Sequence, residues 1–277
     1  MKLEEIFRLE PHGLDVVVGA GPKYPWGGLY GGQIVAQGLL AAAQTVDEEL
    51  AVHSLRAYFI RRGDQDEPVR YEVDRIRNGR SFATRRVVAR QAVGAILNLE
   101  ASFQRPEESV DRQTIQTGGN ADRISNLTVD QWSPTFERAF LPPSELEGTT
   151  RTGAGRAAAW LRTTEPVLGG PVVQAAALAY MSDDLPTDAA VRAHPVGAEP
   201  EEVRYQVLFT ASLDHTIWFH QAVQADQWML HDFTCHRFVG GRGLTLGHVF
   251  DQAGTHVATV AQEVLLRDSR HRNGETP

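Results

Sequence analysis

A single cysteine, Cys235, occurs in 277 residues. One thiol cannot form an intrachain disulfide, and it cannot build a zinc site that needs several cysteines. No run approaches the ~18 consecutive apolar residues that a membrane helix requires. The opening stretch, MKLEEIFRLE, is charged and lacks the apolar centre of a signal peptide. These absences lead us to expect a reducing, cytoplasmic setting and no membrane partner. The formal net charge of -8 argues against bulk nucleic-acid binding, so a polyanionic ligand would need a local basic patch. No histidines have HExxH or similar spacing, and no GxSxG, P-loop or helix-opening GxGxxG is present. We therefore expect no metal, no cofactor and no nucleophile-elbow serine.

What is present begins with an apolar run, Leu14–Val18, followed by a Gly- and Pro-rich loop over Gly19–Tyr30. Gly31-Gly32-Gln33 opens a helix whose Val35, Leu39, Ala42 and Val46 make one apolar stripe. Four alternating segments follow, around Leu55–Phe59, Val69–Val73, Ala83–Ala89 and Leu97–Phe103, with an Asn78-Gly79 hairpin turn and a stop at Pro106. Residues 107–155 are polar and rich in turn formers, which reads as a linker with a short helix near Trp132–Phe140. Residues 156–164 have strand or helix character. Pro171–Met181 reads as a second helix ending in the acids Asp183 and Asp184, and a polar loop follows. Strands are then expected over 203–219, 227–239, 242–251 and 255–267.

The stretch ASLDHTIWFH, Ala211–His220, sets a hydroxyl, a carboxylate and two histidines among bulky apolar residues. As one continuous strand it puts Phe209, Ala211, Leu213, Ile217 and Phe219 on one face. Ser212, Asp214, Thr216, Trp218 and His220 fall on the other. A polar row of this kind suits a cleft wall, or simply a wet strand face.

The two halves repeat. Tyr58-Phe59 and Trp218-Phe219 stand 160 residues apart, as do Ala101 and Ala261. A helix followed by a meander, present twice, implies duplication. We divide the chain into an N-terminal domain (1–106), a linker (107–155) and a C-terminal domain (156–277). A curved sheet around one helix leaves edges, which a second copy can cover. Further edge pairing into a homo-oligomer is expected.

Six segments carry a resemblance over nearly the whole chain outside the linker. They are GGQIVAQGLLAA (31–42), VHSLRAYFIRRGD (52–64), RNGRSFATRRVVA (77–89), AYMSDD (179–184), SLDHTIWFH (212–220) and VATVAQEVLLR (257–267). In order and spacing the chain resembles the acyl-CoA thioesterase II family, the TesB-type double-hotdog hydrolases. The resemblance implies an α+β double hotdog, two fused domains each with an antiparallel sheet around a long helix. It also implies hydrolysis of acyl-CoA to free fatty acid and CoA, within lipid metabolism. The family's catalytic Asp falls on Asp183, its hydroxyl on Ser212 and its glutamine on Gln262. Ser212 stands where the family has Thr, and Asp184 directly follows Asp183, so either acid can take the role.

Thioester hydrolysis needs a positioned water, a group to take its proton, and donors for the oxyanion. Asp183 at a helix end would be held as a better base by the partial negative charge there, yet Asp-Asp-Leu-Pro is also an ordinary turn. Gly32 and Gln33 are candidate oxyanion or substrate-binding residues, because helix-start glycines let a ligand approach free N–H groups. They read equally as a tight helix cap. Arg75, Arg77, Arg80, Arg85, Arg86 and Arg90 surround one hairpin, either as a site for CoA phosphates or as a solvated strand face. The first half carries no acid at its helix and Ser102 in place of Gln262, so one site per chain is expected. Two alternatives remain: a hotdog acyl-CoA hydratase or dehydratase, and a non-catalytic acyl-CoA-binding protein.

Overall fold

The structure, a computed structural model, describes residues 1–117, 121–146 and 155–270. Parts of the turn-rich TGGN and LPPSELEGTTRTGAG segments of the expected linker lie outside them.

The first half opens with a short helix α1 (Leu3–Ile6) and strands β1 (Glu10–Pro11) and β2 (Val16–Gly19). Helix α2 (Gly31–Ala43) follows, then β3 (Ala51–Phe59), β4 (Val69–Asn78), β5 (Phe82–Gln91) and β6 (Gly94–Gln104). A one-turn helix α3 (Pro143–Leu146) precedes the second half, which has β9 (Arg156–Thr163) and helix α4 (Pro171–Ser182). Its strands are β10 (Leu208–Ser212), β11 (Asp214–Phe219), β12 (Met229–Val239), β13 (Arg242–Phe250) and β14 (His256–Asp268). The helix starts at Gly31 and Pro171 agree with the expectation from sequence.

All strands among the described residues join one antiparallel sheet. Its centre reads β2-β4-β5-β6-β3 and then β11-β14-β13-β12-β9. The second series mirrors the first, as duplication predicts. The halves meet where β3 pairs with β11, with Leu55 opposite Ile217 and Ala57 opposite His215. That pairing gives the backbone groups of two former edges their partners. Both rims now end in two-residue strands, β1 and β7 (Val129–Asp130), which offer little for further edge pairing.

The apolar faces of both halves close on α2 and α4 in one continuous core. Leu39, Val87 and Leu99 from the first half join Leu178, Met181, Phe233 and Val260 from the second. The two helices pack against each other at Gly31-Gly32. A Cβ on Gly32 would overlap the Tyr180 carbonyl oxygen, and one on Gly31 would crowd the Asp183 carboxylate. Only glycine permits this approach.

Three expectations are corrected. The segment near Trp132–Phe140 is a strand, β8 (Phe136–Phe140), not a helix, because it pairs with the otherwise open edge of β9. Ile115, Ile124, Leu127 and Leu141 from the same region cover the outer sheet face at Trp160, Leu230 and Phe250. The polar loop after Asp184 is largely helical, with α5 (Leu185–Ala193) and α6 (Glu201–Val207), so residues 203–207 belong to a helix. Pro200 precedes α6 and Glu201 and Glu202 fill its first turn, where acids favour the helix. Finally, the strand expected over 203–219 is interrupted at Leu213. Ser212 pairs with Val264 while Thr216 pairs with Ala261, a shift of one residue. The Asp214 carboxylate accepts the Glu263 N–H at 2.7 Å, taking the place of a ladder bond.

Candidate active site

Asp183, Ser212 and Gln262 come together from three elements: the end of α4, the end of β10 and the middle of β14. Asp183 is almost fully buried, at 6% exposure. Its Oδ1 accepts the Ser212 hydroxyl at 2.8 Å and its Oδ2 accepts the Gly32 N–H at 2.9 Å. Gln262 Nε2 donates to Ser212 Oγ at 2.9 Å. The carboxylate thus sits where the carboxyl end of α4 meets the amino end of α2. Burial is the largest influence on it and raises its pKa to about 6. The donors Ser212, Gln262 and Gly32 pull the other way, and the Asp184 charge adds to the rise. A base with that pKa is ionised at neutral pH and still able to hold a proton.

The set continues beyond the three residues named from sequence. Gln262 Oε1 lies 2.5 Å from His215 Nδ1, and His215 Nε2 lies 2.9 Å from Ser182 Oγ. His215 is fully buried, and burial lowers its pKa to about 4, so the ring is neutral. The sequence put His215 in the motif without a role, on the face opposite Ser212. The signal that would have found it is the carboxylate of Asp214, a residue that breaks strand pairing readily.

Asp184 points elsewhere. It accepts Trp132 Nε1 at 2.8 Å and pairs with Arg138 Nη1 at 2.9 Å, an ion pair that ties β8 to α5. Of the two acids, Asp183 is the one that Ser212 bonds.

Gly32 and Gln33 do not present free donors. The Gly32 N–H is bonded to Asp183, and the Gln33 N–H bonds the Tyr30 carbonyl at 3.1 Å. The Gln33 side chain accepts the Tyr24 hydroxyl at 2.9 Å in a separate buried network with Gln37. The arginine cluster is also largely engaged. Arg75 pairs with Asp15, Arg86 with Asp74 and Arg90 with Glu72, while buried Arg85 bonds Thr45 and Asn78. Among the described residues no group of His, Cys, Asp and Glu has the arrangement of a metal site, and no helix is long and apolar enough to cross a membrane.

The chain is similar to known proteins over most of its length. Residues 21–104 match the family model of the acyl-CoA thioesterase N-terminal domain, and residues 106–266 match that of its C-terminal domain. The chain belongs to the acyl-CoA thioesterase II family. The family member from Haemophilus influenzae named acyl-CoA thioesterase 2 is 31% identical over 257 residues, covering 87% of this chain and 88% of its own. Human acyl-coenzyme A thioesterase 8 is 32% identical, covering 95% of this chain and 88% of its own. The crystal structure of acyl-CoA thioesterase II TesB2 from Mycobacterium marinum superposes with a TM-score of 0.85 at 33% identity, covering 99% of each chain. A hot dog fold protein from Alicyclobacillus acidocaldarius reaches 0.76 at 18% identity, covering 96% of this chain and 97% of its own, which shows the hotdog fold.

Proposed function

We propose that this thioester hydrolase cleaves acyl-CoA to free acid and CoA by direct attack of water, with Asp183 as general base. The observation that carries the reading is the ionisable carboxylate of Asp183, buried and held by the Ser212 hydroxyl and the Gly32 N–H, with the Gln262 amide beside them. Each carboxylate oxygen has a second lone pair for a water. Ser212 and Gln262 fix the carboxylate's plane and so the direction in which that water is held. Attack at the thioester carbonyl moves the water's proton to Asp183, and the collapsing intermediate takes it back on the CoA sulfur. The amino end of α2, beginning beside the site at Gly31, places the positive end of a helix dipole where negative charge develops.

The mirrored strand order supports reading the chain as two fused hotdog domains, residues 1–106 and 156–277. Residues 107–155 join them and contribute β8 to the second. We assign it to fatty acid metabolism in the cytoplasm. With both sheet edges short, a homo-oligomer assembles through faces rather than edges.

Release of free CoA from acyl-CoA, read with a thiol reagent, tests the proposal. Asp183→Asn keeps the shape and removes the base, with an expected loss of about 10²–10⁴-fold in kcat. A variant that retains more than a tenth of the wild-type kcat refutes the assignment.

A further inference from the structure

We propose that His215, held by Ser182, is a positioning residue that sets the orientation of the Gln262 side-chain amide, and through it aims the Ser212 proton at Asp183. The inference rests on the catalytic reading above and extends it by two side chains.

Gln262 Oε1 has no proton to give, so the 2.5 Å contact with His215 Nδ1 requires the proton on Nδ1. A neutral imidazole protonated at Nδ1 has an acceptor at Nε2. The Ser182 hydroxyl, 2.9 Å away, fills it. The Ser182 hydroxyl has one alternative acceptor, the Ala179 carbonyl at 3.1 Å. The chain then runs in one direction. Ser182 donates to His215, His215 to the Gln262 oxygen, the Gln262 nitrogen to Ser212, and Ser212 to Asp183.

An amide has two orientations of nearly equal shape, and only its partners distinguish them. With the amide reversed, Gln262 would offer an oxygen to Ser212. The Ser212 proton would then turn to that oxygen and leave the Asp183 carboxylate. His215 prevents this by offering a donor on the far side. Nothing else described bonds Gln262 Oε1, and Gln262 is fully buried, so no solvent substitutes. His215 touches neither Asp183 nor Ser212 and acts through Gln262 alone.

The test combines nitrogen NMR of the wild-type enzyme with variant kinetics. In the labelled wild-type protein the His215 ring should be the neutral Nδ1–H tautomer; an Nε2–H ring means a reversed amide and overturns the proposal. His215→Ala should lower kcat about 10–100-fold, the scale of one misdirected hydrogen bond to a charge, with KM changed less than about threefold. In a Gln262→Ala background the same substitution should cost less than about threefold more, since its route of action is gone. His215→Asn places an amide N–H near the position of Nδ1 and should recover most of the loss, whereas His215→Gln should not. That pair retains polarity and carries the test if the alanine variant does not fold. Equal activity of the Asn and Gln variants, or full kcat in His215→Ala while Gln262→Ala is impaired, refutes the positioning role and leaves the catalytic set standing. Full kcat in both Gln262→Ala and Asp183→Asn refutes the catalytic set itself.

Discussion

Ser212 and His215 are three residues apart on adjoining strands and both reach Gln262, at 2.9 Å and 2.5 Å. In an unbroken strand, residues three apart point to opposite faces. The bulge at Leu213–Asp214 adds the residue that brings both inward, a use of bulges common beside active sites. Asp214 holds it by accepting the Glu263 N–H.

Removing that acceptor should therefore disturb catalysis without touching the site. Asp214→Ala leaves the Glu263 N–H without its partner and loosens the register on which His215 depends. A fall in kcat of about tenfold is expected, with stability reduced by about 1–2 kcal/mol. Unchanged kcat in a folded variant contradicts the link between bulge and site.

Ser212→Ala and Gln262→Ala each remove a bond that orients the Asp183 carboxylate, and each should cost about 10–100-fold in kcat. Because both act on one group, the double variant should lose less than the product of the two. Pre-steady-state CoA release should show no burst, since Ser212 carries no acyl group in this mechanism. A burst abolished by Ser212→Ala would make the serine a nucleophile.

The pH profile has a defined sign. Only ionised Asp183 accepts a proton, so kcat/KM should rise with pH up to about 6 and be level above it. Stability runs the opposite way. The folded-state pKa lies above the ordinary 3.8, so the folded protein holds the extra proton between those values and loses stability as pH rises through that window. At neutral pH the buried charge costs up to about 3 kcal/mol. Asp183→Asn should accordingly gain in melting temperature at pH 8 relative to pH 4, and lose the acidic limb of the rate profile. Retention of that limb would assign it to another group.

Asp184→Ala separates structure from chemistry. It leaves Arg138 with Asp130 and the more distant Asp188 as partners and should destabilise the fold by about 3 kcal/mol. Turnover should persist. The acidic limb should move to lower pH, because the Asp184 charge helps to raise the Asp183 pKa. Denaturant melts and the pH profile together check this; an inactive but stable variant would reverse the roles of the two acids.

Gly32→Ala should be among the most damaging small changes. Its methyl group meets the Tyr180 carbonyl and the Tyr30 ring, so α2 must move away from α4. Overpacking of this kind costs about 1–3 kcal/mol, and the displaced N–H abandons Asp183. Calorimetry and kcat should fall together; normal values for both would mean that the helices can separate freely.

Much of this was legible in the residues. Period-two alternation located the meander strands, and the Gly-Gly start and apolar stripe located α2, because those patterns are local consequences of pleat and helix geometry. The doubled order of elements announced the mirrored sheet. The six motifs pointed to Asp183, Ser212 and Gln262, three residues far apart in the chain that the fold then brought within hydrogen-bond reach. The α5–α6 region was not legible, since its polar surface residues resemble a loop when the face that α5 buries against β9 and β12 is unknown. Nor was β8, whose residues become a strand only because β9 offers an open edge.

The sequence by itself determined the meander strands, the two long helices and the family, since these reside in local periodicity and in the order of motifs. Tertiary structure alone decided which acid meets Ser212, which donors are already engaged, and that His215 bonds Gln262. Those outcomes depend on burial, on the pairing of Asp184 with Arg138, and on a one-residue shift of register whose partner lies 49 residues away in the chain.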